Sequence, residues 1–121
     1  MWRRLSRMIA CANGGECSPA ELRDKLQHGG DFLVLDVRAL SEVVTAALPY
    51  PYIHIPLDEL SARVGELAPW REKEVIVLCH HGGRSAVAQC FLTKNGFKNV
   101  RNLRGGINAY AQKADPSIPR Y

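Results

Sequence analysis

Two apolar runs of strand length constrain the fold of this 121-residue chain more than any other feature. They are FLVLDV, residues 32–37, and EVIVLC, residues 74–79. Apolar and polar residues do not alternate within either run, so each predicts a strand that is covered on both faces, as in a parallel sheet. Such a sheet requires helices on both of its sides.

The segments around these runs supply the helices. CSPAELRDKLQHGGD predicts a helix that Ser18 caps, with Pro19 as its first residue and Glu21 completing a capping box. In RSAVAQCFLTKNGF we expect Val87 and Phe91 to face the core. Further helices are predicted in ALSEVVTAALP, LDELSARVGEL and INAYAQ, and further strands in YIHI and KNVRNL. The sequence therefore predicts an α/β fold: an open parallel β-sheet of about five strands flanked by helices. We expect residues 16–121 to form this domain, after a flexible N-terminal extension of residues 1–15.

Composition and charge exclude two classes of partner. The content of 46% hydrophobic and 23% charged residues is ordinary for a globular domain. No apolar run approaches the roughly 20 residues of a membrane-spanning helix, so we expect no membrane partner. Arg3, Arg4 and Arg7 supply three of the four net positive charges. The rest of the chain is nearly neutral, and we expect no nucleic-acid partner.

The four cysteines are Cys11, Cys17, Cys79 and Cys90. Their spacing is irregular and contains no C-x-x-C pair, which favours reduced thiols and a cytoplasmic location. We expect Cys11 and Cys17 to be exposed and incidental, and Cys90 to lie in the core. The Arg-rich residues 1–15 leave organellar targeting open.

Cys79 ends a buried strand, and CHHGGRS carries the chain from that strand into a helix. Ligands of open α/β sheets bind beyond the carboxyl ends of the strands, which is where this thiol lies. Gly82 and Gly83 permit a compact turn whose N–H groups point at one spot. The helix N-terminus and the positive charge of Arg84 would favour a nucleophilic thiolate there.

The motif CHHGGRS, with LDVR upstream and NLRGGINAY downstream, resembles the single-domain rhodaneses, a family of sulfurtransferases. The resemblance runs from about Ser18 to Tyr121. It implies that Cys79 is the catalytic nucleophile and carries sulfur as a persulfide. It also implies that Asp36 and Arg38 support the loop after Cys79. The loop residues implied to bind the outer sulfur through their amides, with the last one closing the loop, are His80, His81, Gly82, Gly83 and Arg84.

The resemblance implies transfer of a sulfane sulfur from thiosulfate or a persulfide to a thiophilic acceptor. That acceptor would be cyanide, a thiol or a protein, so the implied partners are a small sulfur donor, a thiol acceptor and a sulfur-relay protein. No cofactor and no metal are implied. His80 stands where the family often has Arg or Lys, which implies weaker binding of dianionic thiosulfate. Tyr110 stands where tryptophan is common.

Three alternatives stay open from the residues alone. The tyrosine phosphatases and related cell-cycle phosphatases use C-x5-R, whereas here four residues separate Cys79 from Arg84, which disfavours a phosphatase or arsenate reductase. A sulfur-carrier or docking module with little turnover of its own would need the same loop. His80 and His81 either tune the thiol or are simply exposed; their spacing does not favour a metal site.

Overall fold

A computed structural model describes residues 13–121 and contains a five-stranded sheet in which every neighbouring pair is parallel. The spatial order is β1-β5-β4-β2-β3. The strands are β1 (Glu16–Cys17), β2 (Phe32–Asp36), β3 (Ile53–His54), β4 (Glu74–Leu78) and β5 (Asn99–Leu103). The prediction of an open parallel sheet is confirmed. β4 lies at the centre of the sheet, which places the residue after it at the middle of the carboxyl edge.

Helices cover both faces of the sheet. They are α1 (Pro19–His28), α2 (Leu40–Thr45), α3 (Leu60–Arg63), α4 (Gly83–Lys94) and α5 (Gly106–Lys113). Side chains of α1 and α5, including Leu22 and Tyr110, pack with Ile76 on one face. Side chains of α3 and α4, including Leu60 and Leu92, pack with Val77 on the other. Successive residues of β4 thus enter two different cores, which explains its uninterrupted apolar sequence.

The predicted start of α1 is confirmed in detail. The Ser18 hydroxyl accepts a hydrogen bond from the Glu21 amide at 3.1 Å, and the Glu21 carboxylate accepts one from the Ser18 amide at 3.4 Å. Pro19 is the first helical residue, where its missing N–H costs nothing.

Two local predictions were wrong, and one strand was missed. LDELSARVGEL is α-helical only in α3, with 3-10 turns at Leu57–Glu59 and Val64–Trp70, the second of which contains Pro69. Val87 is 58% exposed, because Ala88 and Leu92 form the inner face of α4 instead. The two-residue β1 was not predicted, since its length leaves no pattern to detect.

The cysteine predictions also need correction. Cys17 is fully buried in β1, not exposed, and this burial raises the pKa of its thiol to about 11. Cys90 is half-buried and disulfide-bonded, which contradicts the expected reduced core thiol. The prediction for Cys11 lies outside the described residues.

The described part of the proposed N-terminal extension contacts the sheet. The Asn13 side chain and the Gly14 amide hydrogen bond to Val100, and the Gly15 carbonyl accepts from the Asn102 amide. The prediction of a flexible extension otherwise falls on residues 1–12, outside the described range. Within residues 13–121 no helix is long and apolar enough to cross a membrane.

Candidate active site

The carboxyl edge of the sheet brings Cys79 beside the end of β2. Cys79 follows β4 directly, and the Val37 amide donates to the Leu78 carbonyl at 3.1 Å. The Cys79 residue is only 1% exposed. Its thiol is therefore held away from bulk water and contacts protein groups instead.

Two polar groups contact the Cys79 sulfur. The Gly82 amide donates a hydrogen bond to Sγ at 3.0 Å, and the Ser85 hydroxyl lies 3.2 Å from it. Ser85 donates to Asn102 Oδ1 at 2.6 Å, and Asn102 Nδ2 donates to the Gly82 carbonyl at 3.1 Å. These contacts form a closed ring of polar interactions that includes the sulfur. When the thiol ionises, the Ser85 hydroxyl can turn and donate to the thiolate instead.

The turn into α4 supplies further positive potential. Gly82 has φ +114°, a backbone conformation that is strained for residues with a side chain. In this conformation its amide points at the sulfur. Gly83 and Arg84 open α4, so their amides have no acceptor within that helix. Among the amides predicted to bind sulfur, Gly82 is the one that contacts Sγ. The helix start favours a negative charge close to this sulfur.

The first turn of α5 holds the loop from behind. The Ile107 amide donates to the Cys79 carbonyl at 2.9 Å, and the Asn108 amide donates to the His80 carbonyl at 3.1 Å. Gly106 makes this approach possible, because a Cβ there would lie 2.6 Å from the Cys79 carbonyl oxygen. The Gly105-Gly106 pair therefore forms more than a turn: it lets a helix N-terminus bind the main chain of the nucleophile.

Asp36 and Arg38 form a buried ion pair, with exposures of 2% and 0%. The Arg38 Nη2 to Asp36 Oδ2 distance is 2.7 Å, and the Arg38 amide also donates to Asp36. Arg38 donates further to the carbonyls of Ala46 and Glu42. The ring of His54 in β3 lies 2.7 Å from the Arg38 carbonyl. The pair thus fixes the loop after β2, and it reaches the Cys79 loop only through other residues.

Arg84 binds Glu42 with both guanidinium ends. Its Nη1 and Nη2 donate to the two Glu42 oxygens at 2.6 and 2.8 Å. This pairing lowers the pKa of the Glu42 carboxyl to about 2 and raises the pKa of Arg84. The Glu42 carboxylate therefore neutralises the charge of Arg84. The positive groups nearest the sulfur are then the start of α4 and the Gly82 amide.

The two histidines differ in exposure. His81 is exposed, whereas His80 is partly buried, and their ring centroids are 3.9 Å apart. Burial, followed by the neighbouring His81, lowers the pKa of His80. Nε2 of His80 is buried and has no hydrogen-bond partner among residues 13–121. A neutral imidazole at this position avoids the larger cost of burying an unpaired charge.

Sequence reasoning missed four residues of this site: Glu42, Ser85, Asn102 and Tyr121. Ser85 follows Arg84 directly, and its position in the first turn of α4 was the available signal. The partners of the other three are more than 15 residues away in sequence, and no local pattern reports such contacts.

A mostly apolar groove of about 420 Å³ opens beside Arg84. It lies between the end of β2 and the segment after β3. Its lining residues are Val37, Ala39, Pro56, Leu57, Asp58 and Arg84.

Comparison with known proteins gives one family. A rhodanese-like domain matches residues 18–113. A sulfurtransferase of Allochromatium vinosum is 29% identical over 103 residues, which cover 85% of this chain and 94% of that protein. A putative sulfur carrier protein of Bacillus subtilis is 33% identical, covering 83% of this chain and 52% of its own length.

Other relatives are longer or are known as structures. A chloroplastic rhodanese-like/PpiC domain-containing protein of Arabidopsis thaliana is 38% identical over 106 residues, and the chain spans 35% of its length. The crystal structure of a rhodanese-related protein from Thermoplasma volcanium superposes with a TM-score of 0.73 at 29% identity, covering 88% of this chain and 98% of that one.

Proposed function

The chain belongs to the rhodanese-like family, and on that premise we propose that it transfers a sulfane sulfur through a persulfide on Cys79. The observation that carries the proposal is the environment of one atom. Cys79 Sγ lies at the carboxyl edge of the sheet, accepts the Gly82 amide at 3.0 Å, and sits beside the start of α4. An anionic sulfur, or a second sulfur bonded to it, is the species that such a site stabilises.

In the first step the Cys79 thiolate attacks the outer sulfur of the donor. A new S–S bond forms on Cys79, and the donor's own bond to that sulfur breaks. The electron pair leaves with sulfite when the donor is thiosulfate, or with a thiolate when the donor is a persulfide. The negative charge then resides on the outer sulfur of the Cys79 persulfide, where loop amides can stabilise it.

In the second step cyanide or an acceptor thiolate attacks that outer sulfur. The S–S bond on Cys79 breaks and its electron pair returns to Sγ as a thiolate. The Ser85 hydroxyl, 3.2 Å away, can donate to this leaving group as its charge develops. Thiocyanate or a new persulfide departs, and neither step requires a metal or organic cofactor.

The charge balance of the loop favours a donor whose reacting group carries one negative charge rather than two. Glu42 matches the charge of Arg84, and His80 stands where the family often carries a basic residue. A dianion such as thiosulfate meets fewer unpaired cations here than a basic entrance would give it. We therefore propose that a persulfide of a small thiol is a better donor than thiosulfate.

Steady-state kinetics with two donors test this proposal. Thiosulfate and glutathione persulfide are compared, with cyanide as acceptor and thiocyanate as the measured product. We expect a higher kcat/KM for glutathione persulfide and no enzymatic turnover in Cys79→Ala. A Cys79→Ala variant that forms thiocyanate at the parent rate would overturn the assignment.

A sulfur-carrier module with little turnover of its own is the second candidate. The relative named as a putative sulfur carrier motivates it. Large apolar side chains are also exposed on the two helices that the Glu42–Arg84 pair connects: Leu40 (64%) and Val44 (78%) on α2, and Val87 on α4. Slow turnover with cyanide, together with fast transfer of sulfur from loaded Cys79 to a protein acceptor, would select this candidate.

The phosphatase alternative is not favoured. Only four residues separate Cys79 from Arg84, and Glu42 occupies both ends of the Arg84 guanidinium that a phosphate would need. The partners that we propose are a small sulfur donor and, as acceptor, a thiol or a sulfur-relay protein. The proposed location is the cytoplasm. A chloroplastic relative makes microscopy of a fluorescent fusion of the full chain the direct check on location.

A further inference from the structure

The segment after α5 is anchored so that it crosses the mouth of the site. The Asp115 amide donates to the Tyr110 carbonyl at 2.9 Å, and the Ser117 amide and hydroxyl both donate to the Asp115 carboxylate. Ile118 is 4% exposed and packs into the core on the α5 side. These contacts fix where Tyr121 lies.

The Tyr121 ring lies flat on the His80 imidazole. The ring centroids are 4.0 Å apart and the planes are inclined by 9°. The Arg38 guanidinium carbon is 5.8 Å from the centroid of the same ring. Tyr121 therefore contacts the residue next to the nucleophile and the buried Asp36–Arg38 pair at the same time.

The Tyr121 hydroxyl joins the two ion pairs of the site. It accepts a hydrogen bond from Arg38 Nη1 at 2.9 Å and donates one to Glu42 Oε2, also at 2.9 Å. Glu42 in turn holds Arg84, which opens α4 at the end of the loop. Burial is the main reason that the pKa of the Tyr121 phenol is raised, so the hydroxyl keeps its proton and remains a donor.

We propose that Tyr121 is a positioning residue for sulfur transfer: its ring fixes His80 and its hydroxyl ties the Asp36–Arg38 pair to Glu42, so that the Cys79 loop is held at both ends. This inference rests on the proposed function of Cys79. His80 lies at the start of the loop and Arg84 at its end. Without Tyr121 both ends gain freedom, and the Gly82 amide that contacts the sulfur is no longer pre-organised.

Two substitutions separate the two contacts. Tyr121→Phe keeps the stacked ring and removes the hydroxyl bridge, and we expect kcat/KM for sulfur transfer to fall about three- to tenfold. Tyr121→Ala removes both contacts, and we expect a fall of more than about tenfold. Arg120→Ala is the matched control on the same segment, since the Arg120 side chain is exposed and its contact with Asn108 is 3.5 Å long.

The histidine titration is a readout that does not depend on activity. NMR of the full chain would follow the His80 imidazole as a function of pH. Burial is the largest cause of the lowered pKa of His80 and outweighs the backbone hydrogen bond with Tyr121, which acts in the opposite direction. Uncovering the ring in Tyr121→Ala, which keeps the backbone, should therefore raise that pKa towards the ordinary value. Tyr121→Phe and Arg120→Ala should leave it close to that of the parent protein.

The outcomes distinguish this inference from the proposed function. If Cys79→Ala abolishes transfer and both Tyr121 variants match the parent in kcat/KM, the positioning role is overturned and the proposed function survives. The positioning role is likewise overturned if His80 titrates identically in Tyr121→Ala and the parent. If Cys79→Ala transfers sulfur at the parent rate, the proposed function fails, whatever the titration shows.

Discussion

Gly106→Ala is the perturbation that most directly tests how α5 holds the nucleophile loop. Gly106 has φ +64°, where an L-residue is strained by roughly 1–2 kcal/mol. The new Cβ would lie 2.6 Å from the Cys79 carbonyl oxygen and closer still to that of His80. Ordinary contacts need about 3.5 Å, so the two backbones must separate by roughly 1 Å.

That displacement has a definite cost. Overpacking of this kind destabilises by about 1–3 kcal/mol, and with the strain at φ the total reaches roughly 2–5 kcal/mol. The hydrogen bonds from Ile107 and Asn108 to the loop carbonyls lengthen as well. We expect Gly106→Ala to remain folded in dilute buffer, to unfold at a lower urea concentration, and to lose most of its sulfur transfer.

Gly83→Ala is the matched control within the same site. A Cβ at Gly83 meets nothing within 4 Å, and Gly83 has no positive φ. We expect its urea midpoint to be unchanged or higher, which corresponds to a gain of up to about 1 kcal/mol in the free energy of unfolding. If the two glycine variants are equally stable, the close contact between α5 and the loop is not present in solution, and the role assigned to the Gly105-Gly106 motif is refuted.

Three further substitutions probe the polar groups of the site. Arg38→Leu leaves the buried Asp36 carboxylate without its partner, and we expect urea unfolding to show a loss of about 3–5 kcal/mol. Glu42 has a folded-state pKa of about 2, below its unfolded value of 4.5. The stability that its charge contributes is therefore present above about pH 4.5 and is lost as pH falls through about 2. The urea midpoints of the parent and Glu42→Gln should thus converge on acidification, because the parent then loses the ion pair with Arg84 that Glu42→Gln lacks at every pH. Ser85→Ala removes a donor to the leaving thiolate, and the rate of sulfur transfer should fall by roughly tenfold.

Each of these expectations has a contradicting result. Arg38→Leu should lower the free energy of unfolding far more than Arg63→Leu, which removes only exposed ion pairs. Equal losses in the two variants would contradict a stabilising role for the buried Asp36–Arg38 pair. If the difference in urea midpoint between the parent and Glu42→Gln widened towards pH 2, the stabilising contribution of the Glu42 charge would be contradicted. Unchanged transfer in Ser85→Ala would remove that hydroxyl from the mechanism.

The parts of the fold that could be predicted were those with a strong local pattern. The buried strands carry their apolar runs because both faces are covered, and the Ser18–Glu21 capping box is a three-residue signal. Val87 was misplaced because α4 buries small and polar residues, Ser85 and Gln89 among them, on its inner face. The helical spacing of large apolar residues was therefore misleading in this helix.

The site was predictable where its residues are adjacent in sequence. Cys79 and the loop to Arg84 form one contiguous motif, and strand order alone places that motif at the edge of the sheet. The partner of Arg84 was not predictable, because Glu42 is 42 residues away and reaches it only through the packing of α2 on the carboxyl edge. Tyr121 depends in the same way on how the last segment is anchored.

The most direct test of the central claim is to locate the transferred sulfur. The protein is treated with glutathione persulfide, freed of excess donor, and analysed by mass spectrometry as an intact chain and as peptides. We expect one additional sulfur atom on the peptide that contains Cys79, and none on that peptide in Cys79→Ser. An unmodified Cys79 peptide, or the added sulfur on a different cysteine, would contradict transfer through Cys79.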